Sequence, residues 1–282
     1  MLKEIVFSAI TDKPLTLENF LTKKGVSKRL LKKLKHQQNG ITRNGILIRS
    51  VDTVNNGDTI VLRISDDKFL EPNGNLDIPT AYEDDNVIVF NKPAGIPVHP
   101  SLKHHNDTLG NYFAYLFPEL TYRPVHRLDN YTSGLCMVAK DSHSANVLQG
   151  NFRKVYYAVV HGITDEYGTI DAPLARREDS IILRCVREDG QKAVTHYKRL
   201  KYNNKYSLLE INLETGRTHQ IRVHFSHIGH PLAGDELYGG NCQDIQRQAL
   251  HCGRLEFNQP VTGRKITVNA GFPEDIKNLS EL

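Results

Sequence analysis

The stretch from Asp66 to Thr80 is rich in Asp, Asn, Pro and Gly and supports neither a helical nor a strand repeat. It divides the 282-residue chain into a short part, 1–65, and a long part, 80–282, with 66–79 reading as a linker. The length fits about two domains and is ample to bury a sizeable core. In the short part Leu17, Phe20 and Leu21 fall at helical spacing, as do Leu30, Leu31 and Leu34, until Asn39-Gly40 ends the pattern. Ile41, Ile46–Ile48 and Thr59–Ile64 read as short strands, separated by the turn signals Asn44-Gly45 and Asn56-Gly57-Asp58. Met1–Ile10 is a short apolar patch without a small-residue cleavage site, which argues against a secretory signal.

In the long part Val87–Phe90, Leu135–Ala139, Val155–His161, Ala193–Leu200, Tyr206–Leu213, Leu250–Phe257 and Lys265–Ala270 are strand-like. Only 108–116, 141–152 and 217–228 favour helix. Many strands with few crossover helices predict an α+β fold rather than a doubly wound sheet. No apolar run approaches the roughly 18 residues of a membrane helix. Four cysteines (Cys136, Cys185, Cys242 and Cys252) form no Cys-x-x-Cys pair, so neither a disulfide scaffold nor a thiolate zinc site is expected. The default compartment is the cytosol.

Charge is unevenly spread. Residues 13–64 carry 11 Lys and Arg against 3 Asp and Glu, a balance of +8, so the rest of a chain of net charge +4 sums to −4. Between Asn19 and Val51 there is no acid at all. Lys28, Arg29, Lys32 and Lys33 lie around the apolar stripe of the second helix, and the block predicts a polyanion partner, with a merely solvated lysine face as the alternative.

The motifs of nucleotide hydrolases, dinucleotide oxidoreductases, zinc proteases, serine hydrolases and zinc deaminases are absent. His219, His224, His227 and His230 cluster, yet no acid or thiol joins them before Asp235, so no metal site is expected. In a helix over 217–228, Ile221, Phe225 and Ile228 would face the core and Thr218, Arg222 and Ser226 a neighbouring polar stripe. Arg222 would then be held by a packed element, although position alone does not separate it from a surface arginine. Asp129 stands in a loop before the Leu135 strand, where an aspartate is ordinarily a turn or cap residue.

His126-Arg127-Leu128-Asp129, followed by Thr132-Ser133-Gly134-Leu135, resembles the catalytic loop of the RluA/RluD-type RNA pseudouridine synthases. Asn91-Lys92-Pro93, Tyr156-Tyr157-Ala158 and Thr215-Gly216-Arg217-Thr218-His219-Gln220-Ile221-Arg222 resemble further blocks of that family in the same order, and the likeness covers about 80–276. Residues 13–64 resemble the S-four RNA-binding domain. Asn258-Gln259-Pro260 and Gly271 depart from the family pattern. The resemblance implies an S-four-like domain followed by a mixed, mostly antiparallel catalytic sheet. It implies isomerisation of uridine in ribosomal or, next, transfer RNA, without cofactor, metal or membrane, by a monomeric chain. It gives Asp129 the role of essential carboxylate, with Arg222 paired to it and Tyr156 against the target base. Arg127, beside Asp129, is the residue expected to occupy the space that the flipped base leaves, with an ordinary phosphate contact as the alternative. Read as a strand residue alone, Tyr156 would be plain core packing.

Overall fold

The computed structural model describes residues 2–65, 70–101 and 103–280. The N-terminal unit runs β1 (Leu2–Ser8), β2 (Leu15–Thr16), α1 (Leu17–Lys23), α2 (Lys28–Lys35), β3 (Ile41–Arg43), β4 (Ile46–Leu47), β5 (Thr53–Val54) and β6 (Thr59–Ser65). Its sheet has the order β1-β6-β3-β4, and Phe7, Leu17, Phe20, Leu21, Leu30, Leu31, Leu34, Ile60 and Leu62 form its core. β1 was not anticipated from the sequence, yet it alternates, with Ile5 and Phe7 buried and Glu4 and Val6 exposed, and it pairs along its length with β6. In α2 the Ser27 hydroxyl accepts the Leu30 N–H, and burial of Leu30, Leu31 and Leu34 leaves Lys28, Arg29, Lys32 and Lys33 on the exposed face.

The larger unit begins with β7 (Thr80–Glu83), β8 (Val87–Lys92), α3 (Leu109–Leu116), β9 (Arg123–Pro124), β10 (Ser133–Ala139), α4 (Ser142–Leu148) and β11 (Phe152–His161). It continues with β12 (Tyr167–Asp171), β13 (Leu174–Arg176), β14 (Arg184–Val186), β15 (Val194–Tyr202), β16 (Tyr206–Leu213) and α5 (Gln220–His227). A 3₁₀ turn (Glu236–Tyr238), β17 (Leu250–Asn258), β18 (Lys265–Asn269) and α6 (Glu274–Ser280) complete it. A mixed, mostly antiparallel sheet, β12-β15-β16-β11-β17-β10-β8-β7, forms its body, as the many strands and few helices predict. Among the described residues β10 and β17 are the one parallel pair, joined at Ser133–His251 and Gly134–Cys252. Gly134 has φ +108°, and a Cβ there would lie 2.3 Å from the Cys252 carbonyl, so this close approach requires glycine. Every residue of β10 is buried, as befits a strand covered on both faces. The helix expected over 141–152 closes at Leu148, because Gln149 is already extended and Gly150 has φ +77°, which turns the chain into β11. Among the described residues no helix is long and apolar enough to cross a membrane.

Part of the expected linker, 66–69, lies outside the described residues. The rest is strapped to the larger unit: the Asn73 N–H donates to Asn111 O at 3.0 Å, the Asn111 amide donates to Glu71 O at 2.8 Å, and Ile78 is buried. The two units also meet directly. Lys3 Nζ pairs with Asp141 Oδ2 at 2.9 Å, Phe7 packs edge-on to His143, and the Asn146 amide donates to Gly25 O at 2.8 Å. Asp141 caps α4 as well, accepting from the Ser144 N–H and hydroxyl at 2.7 Å each. Burial would raise the Asp141 pKa, but Lys3 and the Ser144 donors outweigh it and hold the carboxyl below its ordinary value.

A carboxyl with a depressed folded pKa stabilises above its unfolded value and loses that contribution as pH falls through the folded one. Lys3→Met leaves Asp141 buried without its cation, and should lower stability to urea at pH 7 by about 3 kcal/mol. The gap between wild type and variant should narrow as the pH falls through the range in which Asp141 takes up its proton, first in the variant, where burial acts without the cation, and then in the wild type. Equal stabilities at pH 7 would show that the pair does not hold the units together.

Candidate active site

Asp129 stands between β9 and β10, in a loop fixed from several sides. The Thr132 N–H donates to Asp129 O at 3.0 Å, and the Gly95 N–H donates to Asn130 O at 3.0 Å. Lys92, at the end of β8, is fully buried and sends Nζ to Asn130 O at 2.9 Å and to Pro93 O at 2.8 Å. A buried lysine amino group thus donates to two backbone carbonyls beside the aspartate. Leu128 anchors the loop in the core, while the Asp129 side chain remains 21% exposed.

Arg222 approaches from α5. The expected helix over 217–228 is shorter, because His219 takes φ 59°, a left-handed conformation that cannot continue a helix backwards. The Gln220 side chain closes the start by accepting from the Arg217 N–H at 3.0 Å and the Thr215 hydroxyl at 2.9 Å. Ile221 and Phe225 enter the core with Ile228 packed against it, so the periodicity placed Arg222 correctly on a buried helix. Its guanidinium grips Asp235 with a fork, Nε to Oδ2 and Nη2 to Oδ1, each at 2.7 Å. The remaining Nη1 reaches Asp129 Oδ2 at 3.3 Å. The Tyr238 ring lies 4.9 Å from the guanidinium carbon.

Asp129, Arg222, Tyr156 and Arg127 line one pocket of about 90 Å³, together with Lys154, Thr132 and His219. Tyr156 belongs to β11 and shares a core-facing side with Ala158 and Val160, but its face also opens on the pocket, so packing and site are not alternatives here. Burial pushes its phenol well above the ordinary value, and the Asp129 charge acts in the same direction, so Tyr156 carries its proton at neutral pH. His219 Nδ1 is hydrogen-bonded to the Tyr238 hydroxyl at 2.7 Å, and its Nε2 is 3.8 Å from Asp129. Burial lowers its pKa, which leaves it uncharged at neutral pH.

The other clustered histidines serve separate places. His224 is hydrogen-bonded to Thr195 and Ala172 O, His230 to His161 O, and His227 is exposed. Lys28, Arg29, Lys32 and Lys33 stand on α2, outside the residues that line the pocket. Sequence reasoning matched Asp235, Tyr238 and Lys92 to blocks of the resembled family but gave none of them a role. Asp235 lies 13 positions beyond Arg222, past a turn, where no periodicity links them. Lys92 stands within the recognised Asn-Lys-Pro block.

A family model described as RNA pseudouridylate synthase matches residues 86–227, half of the chain, and the chain belongs to that family, an RNA pseudouridine synthase. It is 37% identical over 280 residues to the uncharacterized RNA pseudouridine synthase YjbO of Bacillus subtilis, covering 94% of this chain and 98% of that one. It is 38% identical over 261 residues to the ribosomal large subunit pseudouridine synthase D of Pseudomonas aeruginosa, covering 83% and 81%. Among solved structures, the human RNA pseudouridylate synthase domain containing 1 matches with TM-score 0.60 and 26% identity, over 72% of this chain and 87% of that one.

Burial pushes the Lys92 ammonium down from 10.5 to about 7. The unfolded chain therefore binds a proton there that the folded chain releases between those values, and stability should rise with pH across the window. Lys92→Met should remove up to about 1.4 kcal/mol of that rise per pH unit. Denaturant titrations at pH 7, 8.5 and 10 check this, and parallel curves for wild type and variant would contradict it.

Proposed function

We propose that the protein converts uridine to pseudouridine in ribosomal large-subunit RNA, with Asp129 as the essential carboxylate. In this isomerisation the bond from the ribose to the base nitrogen breaks, the uracil turns, and a bond from the ribose to a base carbon forms. A proton leaves that carbon and the nitrogen gains one, so atoms and electrons balance without an oxidant. The observation that carries the reading is the meeting of Asp129, Tyr156 and Arg222, from three separate elements, in one pocket next to Arg127. The names of curated relatives, large-subunit synthase D among them, favour the ribosomal substrate over transfer RNA.

A stacked uridine cannot reach such a pocket and has to be flipped out, at a cost of a few kcal/mol. Arg127 is exposed at the pocket edge, and in this reading it occupies the vacated position in the RNA. Asp129 then acts on the sugar. The Arg222 cation beside it stabilises its charge, and the Asp235 fork prevents Arg222 from swinging away. Tyr156, protonated and held by the β11 strand, packs on the base and has a proton to exchange with it. The N-terminal unit, which we read as S-four-like, supplies backbone affinity through α2, and the chain acts as a cytosolic monomer.

Pseudouridine mapping in ribosomal RNA from cells with and without the gene tests the substrate. Asp129→Asn should abolish conversion, at least a 10³-fold loss being about 4 kcal/mol of transition-state stabilisation, while RNA affinity and thermal melting stay near wild type. Arg222→Lys should retain part of the rate, because charge remains and the planar fork does not. Near-wild-type conversion by Asp129→Asn would refute the assignment.

A further inference from the structure

Beside the pocket opens a groove of about 630 Å³ that shares Arg127, Lys154, Leu213 and Gly216 with it. The groove is within the roughly 300–1,000 Å³ of small-molecule sites and far larger than the base pocket. Three cations face it. Arg127 and Arg153 are exposed, and Arg153 is steadied by a neutral acceptor, Asn212 Oδ1, at 2.9 and 3.3 Å. Lys154 Nζ lies 5.5 Å from the ring centres of both Phe152 and Tyr156, where burial disfavours its charge. The carboxylate on the groove wall is Glu214, and it is engaged by His196 Nε2 at 2.8 Å. The groove thus offers positive charge that the described acids leave uncompensated.

Its far rim points to where the charge leads. Gln149 and Gly150, just past α4, belong to the groove wall. One turn earlier the Asn146 amide binds Gly25 O, and Gly25, with φ +78°, sits so close to Val147 that an added Cβ would be 2.7 Å from its methyl group. Lys28 and Arg29 open α2 three residues after Gly25. Pocket, groove, the end of α4 and the start of α2 therefore follow one another along the surface.

We propose that the groove is a phosphodiester track, in which Arg153 and Lys154 bind the RNA backbone flanking the uridine that Arg127 displaces and lead it over the end of α4 to Lys28 and Arg29. A flipped nucleotide leaves its neighbours' phosphates at the pocket edge, each carrying one negative charge, and these match cations that pair with no acid among the described residues. The track rests on the reading of the pocket as the uridine site.

The test uses an RNA oligonucleotide that contains a uridine converted by the wild-type protein, with neutral methylphosphonate linkages placed at one flanking phosphate at a time. Dissociation constants are measured for wild type, Arg153→Gln, Arg153→Gln/Lys154→Met, and Arg177→Gln as a hairpin control away from the groove. In wild type one or two flanking positions should weaken binding by about tenfold when neutralised, the scale of a charge-assisted hydrogen bond. The same neutralisation should have little further effect in Arg153→Gln/Lys154→Met, and the salt slope should fall by about 0.7 for each phosphate that the variant no longer binds. Arg153→Gln alone, on an exposed position, keeps the test valid if the double variant does not fold. An equal penalty in wild type and in Arg153→Gln at every flanking phosphate, or none in wild type, overturns the track. Failure of the wild-type protein to convert any uridine is a separate result and refutes the reading of the pocket instead.

Discussion

The guanidinium of Arg222 is divided between two carboxylates, and the site depends on that division. Two of its nitrogens are committed to Asp235 at 2.7 Å, inside the protein, and the third is left for Asp129 at 3.3 Å. Asp235 is almost fully buried, so its charge is tolerable only because the fork satisfies both oxygens. The longer hydrogen bond goes to the partly exposed Asp129, which is the carboxylate that has to meet a substrate. A rigid, neutralised anchor thus presents a directed cation to a more open acid.

The sheet explains how the two halves of this arrangement come together. β10 leaves the Asp129 loop and runs parallel to β17, at a spacing that only Gly134 permits. Next to β17, β11 carries Tyr156 and Lys154 to the same place, and the neighbouring β16 leads through Gly216 into α5. Lys92 reaches up from β8 and pins the loop from below. Five strands and one helix therefore fix the pocket walls, while Arg127 stands exposed at the edge.

Much of this was legible where a repeat carried it. The Ile221, Phe225 and Ile228 spacing put Arg222 on a packed helix, and the alternation around Tyr156 put it on an inward strand face. The helix start was misjudged because a histidine in a left-handed conformation, His219, has no distinctive sequence signal. β1 was overlooked because its alternation is only seven residues long and meaningful only when paired with β6. The Asp235 fork joins positions across a turn, and the Lys3–Asp141 ion pair joins separate units, so tertiary structure alone brings either pair together. The loop role of Asp129 became readable only through its resemblance to a known block, since an aspartate in a loop otherwise suggests a turn.

The claim that Asp235 acts through Arg222 on Asp129 is tested most directly by a double-mutant cycle on the turnover rate for pseudouridine formation, using Asp235→Asn, Arg222→Gln and both together. If one chain of hydrogen bonds carries the effect, each single change slows turnover strongly and the second adds little to the first, a coupling of about 1–3 kcal/mol. Losses that simply multiply would mean that Asp235 and Arg222 act independently, and that the fork between them does not orient the site.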